Sequence, residues 1–129
     1  MANVPENLRY SKDHEWVLVE GDTATVGITD YAQSSLGDVV YIDLPSAGKT
    51  FGAHESMGSV ESVKAVSDVF IPISGEIVEV NETLNDTPEA VNNDPYGAAW
   101  FAKIRIGNPA ELDELMDAAK YQEYLDANA

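Results

Sequence analysis

From Glu15 to Ile106 the chain is a succession of short β-type runs, each closed by a turn signal, and this punctuation restricts the fold more than any other feature. Glu15–Glu20 and Thr23–Ile28 flank Gly21-Asp22, a pair suited to a two-residue turn with positive φ at its first position, so a hairpin is predicted there. Val39–Leu44 reads as a strand, ended by the turn Pro45-Ser46-Ala47-Gly48. Between Ser56 and Val80, the apolar residues Val63, Val69, Ile71 and Ile73 share one parity. Pro72 marks an edge or a bulge there, and Ser74-Gly75 a tight turn before Glu76–Val80. Asp94-Pro95-Tyr96-Gly97 is a type I turn pattern. In the following run, Trp100, Ala102, Ile104 and Ile106 are expected to face inward, with Lys103 and Arg105 in water.

Helix signals are fewer. Asp30-Tyr31-Ala32-Gln33 has the spacing of a capping box with Asp30 as the cap, and Gly37 is a stop, which predicts a short helix over about residues 30–36. Thr87-Pro88-Glu89 opens a short helical turn. The clearest helical stretch runs from Asn108 to about Asp126. Asn108 is its cap, Pro109 its first position and Glu111 the partner in an Asn-x-x-Glu box. Leu112, Leu115, Met116, Tyr121, Tyr124 and Leu125 form its stripe, with a weak point near Ala119. Gly37–Asp43 and Gly75–Asn81 share a Gly-acid-β-β-x-β-Asx pattern. That is either chance likeness between two strands or an internal repeat, and a repeat would make the fold a sandwich with quasi-symmetry. The expectation is one domain over residues 1–129, with a mainly β core at about 15–107 and a helical segment at about 108–126.

Composition settles the broad class. With 129 residues and 44% apolar side chains the chain can bury a core despite its acidity. Seven Lys+Arg against 23 Asp+Glu give a formal charge of −16, which argues against nucleic acid and against anionic membrane surfaces. No apolar run is long enough to cross a bilayer, and Met1–Glu6 is neither basic nor apolar, so a cytoplasmic protein is expected. There is no cysteine, so any sulfur redox chemistry must come from an attached group. His14-Glu15 and His54-Glu55 offer metal-ligand types without the clustered spacing a metal site needs. The chain lacks a phosphate loop, a Gly-x-Ser-x-Gly elbow and a His-Glu-x-x-His pair, and nothing in it forms a self-sufficient active site.

One segment stands apart, Ser59-Val60-Glu61-Ser62-Val63-Lys64-Ala65-Val66-Ser67-Asp68-Val69. Lys64 is one of five lysines and lies between two β-type runs with no other cation nearby. The mirrored half-strands predict a hairpin that presents the ammonium at its tip, although the turn holds no Gly, Pro or Asn. From spacing alone, a solubilising lysine that blunts an edge strand explains the same pattern.

Glu61-Ser62-Val63-Lys64-Ala65-x-Ser67-Asp68 resembles the lipoyl-attachment signature of the glycine cleavage H-protein family. The likeness extends along nearly the whole chain. It includes His14-Glu15-Trp16, Val26-Gly27-Ile28-Thr29 with Ala32-Gln33, and Leu36-Gly37-Asp38. It continues through Leu44-Pro45-x-x-Gly48, Pro72-x-Ser74-Gly75-Glu76, Asn81, Asn92, Pro95-Tyr96, Trp100 and the acidic tail. Biotin carriers resemble Met-Lys-Met around the modified lysine and 2-oxo-acid dehydrogenase lipoyl domains Asp-Lys-Ala, whereas this chain has Val63-Lys64-Ala65.

The resemblance implies a barrel-sandwich hybrid fold of the lipoyl/biotinyl type with terminal additions. It implies a non-catalytic carrier with lipoate in amide linkage on Lys64, which shuttles the aminomethyl group of glycine. The partners implied are the pyridoxal-phosphate glycine decarboxylase, the tetrahydrofolate-dependent aminomethyltransferase, dihydrolipoamide dehydrogenase and the lipoyl-attaching enzymes. By residue matching, Glu15 and Asp68 fall where carboxylates contact the cationic amine of the loaded arm, and Glu61 and Gly48 where lipoylation is recognised. Asp13 departs from the Ser of some family members and adds a negative charge beside this site. Two competing readings are an H-like carrier that relays lipoyl groups to another pathway, and an unmodified acidic interaction module. A monomer is expected.

Overall fold

The computed structural model describes residues 4–128, so Met1–Asn3 of the opening segment lie outside the described residues. All strand pairing is antiparallel, in two sheets. The larger sheet contains β1 (Arg9–Tyr10), β2 (Glu15–Glu20), β3 (Thr23–Ile28), β5 (Thr50–Phe51), β8 (Gly75–Val80) and β9 (Ala102–Ile106), in the order β1-β2-β3-β9-β8-β5. The smaller contains β4 (Val39–Asp43), β6 (Ser56–Ser62) and β7 (Val66–Phe70), with β6 in the middle. Their inner faces form one core, in which Val26, Val60, Ile71, Ile73, Ile77 and Ile104 are fully buried. β4 and β8, the strands of the shared Gly-acid pattern, fall in different sheets.

The β2–β3 hairpin turns on Gly21 at φ 66°, as its sequence requires. Trp16 pairs with Gly27, and a Cβ at Gly27 would meet the Trp16 indole at 2.7 Å, so this position needs glycine for space. The first helix, α1 (Asp30–Leu36), has the predicted span but a different cap. Thr29 is the cap, its hydroxyl accepting from Ala32 N at 3.2 Å, while Asp30 accepts from the Gln33 side chain at 2.6 Å. Two short helices follow β8, α2 (Thr83–Asp86) and α3 (Ala90–Asn93). The first was not anticipated and buries Leu84; the second follows Thr87-Pro88-Glu89 as expected.

Two expectations for the C-terminal third are corrected. Trp100 precedes β9, where strand alternation does not yet hold, so Phe101 is buried in the main core while Trp100 packs half-buried against a second cluster. The tail is not one helix but a 3₁₀ turn, Pro109–Glu114, and then α4, Ala118–Asn128. Between them Met116 exchanges two backbone hydrogen bonds of 2.8 Å with Tyr10, which takes the groups a continuous helix would need. Asp117 then starts α4 by accepting from Lys120 N at 2.8 Å. Asn108 caps the 3₁₀ turn as predicted, but Glu111 closes no box: its carboxylate accepts from Ser74 N and Oγ and ties the tail to the turn before β8.

The second cluster holds Leu8, Tyr10, Trp16, Tyr121 and Leu125, and it docks α4. Tyr10 and Tyr121 stack with ring centroids 4.5 Å apart and planes 6° apart.

Candidate functional site

The Lys64 hairpin is real and its turn is built by a serine. Glu61 pairs with Val66, and Ser62 N donates to Ala65 O at 2.7 Å. The Ser62 hydroxyl accepts from Lys64 N at 3.3 Å and from Ala65 N at 3.1 Å, which supplies the turn chemistry that Gly, Pro or Asn would otherwise provide. Val63 N donates to Asp38 O at 3.0 Å and anchors the tip to the start of β4. Val63 is therefore exposed, although it shares sequence parity with buried Val69, Ile71 and Ile73, because the turn interrupts the alternation. Lys64 is exposed, and its Cε lies 3.5 Å from where a Cβ on Gly37 would stand, so the lysine rests over the end of α1. Asn92 of α3 steadies that end: it donates to Gly37 O at 2.8 Å and to the Gln33 side chain at 2.9 Å, and accepts from Val39 N at 2.8 Å.

Beside this tip lies a cavity of about 310 Å³ between α1, the start of β2, and β6 and β7. Its apolar walls include Ile28, Leu36, Val60 and Val69, and three carboxylates line it, Asp13, Glu15 and Asp68. No Lys or Arg does. Leu36, the last residue of α1, joins the cavity to the Gly37 position beneath Lys64.

Glu15 is the deep member of the set, 1% exposed. Ser11 Oγ donates to its Oε1 at 2.5 Å and Phe70 N to its Oε2 at 3.4 Å. Burial is the main reason its carboxyl is pushed up to about 8 from an ordinary 4.5; the Ser11 hydrogen bond opposes the shift and the nearby Asp13 charge adds to it. Asp68 sits differently. It pairs with Ser59, which pairs in turn with Asp43, and it shares parity with exposed Val66, whereas Ser67 stands opposite buried Val60. By this register Asp68 lies at the rim of the cavity and on the outer groove, while Ser67 faces the cavity. In the sequence Ser67 stands out only as part of the lysine segment, although strand alternation from Val69 points to it.

Two residues from opposite ends of the chain hold the cavity wall. His14 adopts φ 68°, a conformation that costs a non-glycine residue of order 1–3 kcal/mol and that its surroundings must enforce. Its ring lies 4.7 Å from that of Tyr31 and 5.9 Å from that of Tyr124. His14 Nδ1 and the Tyr121 hydroxyl are 2.8 Å apart, and that hydroxyl is also 2.8 Å from Thr29 Oγ1. Tyr121 thereby joins the residue before Glu15 to the cap of α1. Burial lowers the His14 pKa, with Asp13 opposing, and raises that of Tyr121. The stripe of the tail predicts Tyr121 only as a packing residue.

Glu61 is exposed on β6 beside the tip, opposite Val66. Gly48 is not drawn into this group. It closes the 45–48 turn at φ 92°, its N donates to Ile77 O at 2.6 Å, and it does not line the cavity. A Cβ there would meet no atom within 4 Å, so backbone conformation, not crowding, favours glycine.

Comparison with known proteins places this arrangement in context. The family model for the Glycine cleavage H-protein matches residues 8–128. The chain is 57% identical over 128 residues to glycine cleavage system H protein 2 of Pseudomonas aeruginosa, covering 98% of each. It is 54% identical over 124 residues to the glycine cleavage system H protein of Symbiobacterium thermophilum, covering 96% of this chain and 97% of that one. The crystal structure of a glycine cleavage system H protein from Mycobacterium marinum superposes with a TM-score of 0.82 at 40% identity, covering 97% of this chain and 98% of that one.

Proposed function

This chain belongs to the glycine cleavage H-protein family, and on that premise we propose that Lys64 is the residue that carries its lipoyl group. The protein is a non-catalytic lipoyl carrier of the glycine cleavage system. It takes the aminomethyl group of glycine from the pyridoxal-phosphate decarboxylase to the tetrahydrofolate-dependent aminomethyltransferase, and then presents the dithiol to dihydrolipoamide dehydrogenase. Lipoate, when attached, supplies the sulfur pair that a chain without cysteine lacks. We read the described chain as one carrier domain, and the cytoplasm, where NAD and tetrahydrofolate are available to its partners, as its location. Among the described residues no helix is long and apolar enough to cross a membrane.

The observation that supports Lys64 most directly is its position: exposed, at a hairpin tip fixed by Ser62, beside a cavity with apolar walls and acidic groups. Such a lining suits an acyl chain that ends in a cationic amine. In this reading the apolar walls exclude water from the arm, Glu15 is the deep carboxylate and Asp68 the rim carboxylate that meet the amine, and Asp13 adds to the field between them. Glu15 holds its proton near neutral pH until a cation draws it off. Glu61 and Gly48 are proposed as recognition points for lipoyl attachment, Glu61 by its exposure beside the tip and Gly48 by the turn shape it permits.

Intact mass and peptide mapping after expression in a lipoate-competent host test the assignment. A single lipoyl increment on the peptide containing Lys64 is expected, and an increment elsewhere or none overturns it. For the cavity, Glu15→Ala and Asp68→Ala are expected to hasten loss of ammonia from the aminomethyl-loaded carrier, followed by mass. Unchanged decay in both would remove the two carboxylates from the role.

A further inference from the structure

On the described surface of this acidic chain, four exposed large apolar side chains gather around one feature. Val40, Tyr41, Val63 and Val66 all lie on the Lys64 hairpin or on the strand beside it. A β-bulge produces half of this exposure. The register of β4 against β6 slips between Val39 and Tyr41, so Val40 and Tyr41 both turn outward, 48% and 55% exposed, while Val39 and Ile42 on either side are buried. Tyr41 lies opposite Glu61 and Glu61 opposite Val66, which places the three in one row across the solvent face of the small sheet. Val63 and Val66, 70% and 66% exposed, bracket Lys64. Acids surround the apolar centre: Asp38 and Glu61, with Asp43 and Asp68 in the next row across the sheet.

Leaving one such side chain in water forgoes roughly 1.5–3 kcal/mol of burial, and apolar patches gathered in one place mark contact surfaces. We propose that Val40, Tyr41, Val63 and Val66 form the docking surface for the enzyme that acylates Lys64, a partner with an apolar contact flanked by Lys or Arg side chains. The inference rests on the reading of Lys64 given above and adds to it a surface and its occupant. Reach selects this partner over the others. An acylating enzyme must bring an activated carboxyl (the acyl adenylate made from lipoate and ATP with loss of pyrophosphate) to Nζ itself, where the neutral amine displaces AMP and gives up a proton. Nζ is one lysine side chain from the backbone, so the enzyme cannot do this without touching the residues that bracket it. Enzymes that act on the sulfur end work at the far end of a long acyl chain and can stand away from the tip. The ring of carboxylates complements a cationic rim and would speed encounter.

The test uses full-length, unmodified carrier with a purified ATP-dependent lipoate–protein ligase, lipoate and ATP, with initial rates read by intact mass. The double variant Val63→Ser/Val66→Ser and the single variant Tyr41→Ser are each expected to lower kcat/KM at least tenfold, chiefly through KM, with an unchanged melting temperature. Val19→Ser and Val78→Ser, exposed valines elsewhere, serve as controls and are expected to leave it unchanged. Double variant driven to complete lipoylation is then expected to support decarboxylase exchange within twofold of wild type. Unchanged acylation in the Val63/Val66 and Tyr41 variants overturns the proposal. So does an equal or greater loss with the decarboxylase, which would assign the surface to that enzyme. Wild-type carrier that gains no lipoyl mass on Lys64 fails the underlying reading instead, and the two failures are told apart in the first assay.

Discussion

The lysine tip and the cavity beside it are built on opposite plans. The tip is local: one strand pair, a serine-organised turn and a bond from Val63 N to Asp38 O present Lys64 to solvent. The cavity is assembled from distant parts. Asp13–Glu15 enter from the first hairpin, α1 forms one side, β6 and β7 another, and Tyr121 of the terminal helix fastens two of these together. A local device can be altered with little cost to the fold, whereas each group in the assembled one also takes part in stability. On the proposed reading, chemistry that must meet several partners would sit on the first, and chemistry that must be kept from water on the second.

The sharpest break of that contrast is Lys64→Arg. It keeps an exposed cation and is expected to abolish the lipoyl increment and all carrier turnover while stability stays within about 0.5 kcal/mol of wild type, as surface substitutions usually do. Intact mass and a denaturant melt check both halves.

Glu15→Gln should do the opposite, changing stability in a way that depends on pH. The folded state raises the Glu15 pKa from 4.5 to about 8. It therefore holds a proton that the unfolded chain releases, and wild-type stability falls as pH rises through this window. The stabilising contribution is whole below pH 4.5 and gone above about 8. The slope approaches about 1.4 kcal/mol per pH unit at most. Glutamine copies the neutral acid and does not titrate, so the variant should match wild type near the low end and exceed it at the high end. Parallel pH profiles of the two proteins would show that Glu15 is not the buried acid.

Tyr121→Phe tests the link between the terminal helix and the cavity. It keeps the stack on Tyr10 and removes only the hydroxyl, leaving His14 Nδ1 and Thr29 Oγ1 each without that partner. A cost of about 0.5–1.5 kcal/mol is expected from the lost hydrogen bonds, since Thr29 Oγ1 keeps its bond from Ala32 N and His14 is only half-buried. Acylation of Lys64 should be unaffected, and ammonia loss from the loaded carrier should quicken. If the decay rate does not move while stability falls, Tyr121 supports the fold alone.

The same division explains what could be read from the sequence. The β2–β3 hairpin and the span of α1 were legible because Gly21-Asp22 and Gly37 act within a few residues of the elements they end. The cap of α1 lies one residue before the Asp30 that the spacing predicts, because Thr29 and Asp30 are both good caps and only geometry chooses. The sequence predicts one helix for the tail because nothing near Met116 announces a partner; its pairing with Tyr10 at the other end of the chain is a tertiary event. Lys64 was legible as a candidate from its isolation, and the family pattern raised it above an edge charge. The joint lining by Glu15 and Asp68 came only through that pattern, and the Tyr121 bridge is visible only once the chain is folded.

The smallest effect expected lies at the tip. Ser62→Ala removes the acceptor for Lys64 N and Ala65 N but leaves the strand pair Glu61–Val66 and the bond from Ser62 N to Ala65 O. Net loss of such bonds costs about 1 kcal/mol, and less where water reaches the freed amides. The tip would still present its lysine, in a broader set of turn conformations. Acylation should therefore slow by a few-fold through KM, and hydrogen exchange at the amides of Lys64 and Ala65 should quicken while that of Val60, in the middle of β6, stays as in wild type. Equal loosening at Val60 would mean that the turn and the sheet open together. The tip would then be no more local than the cavity, and the division between the two regions would fail at the point where it is easiest to measure.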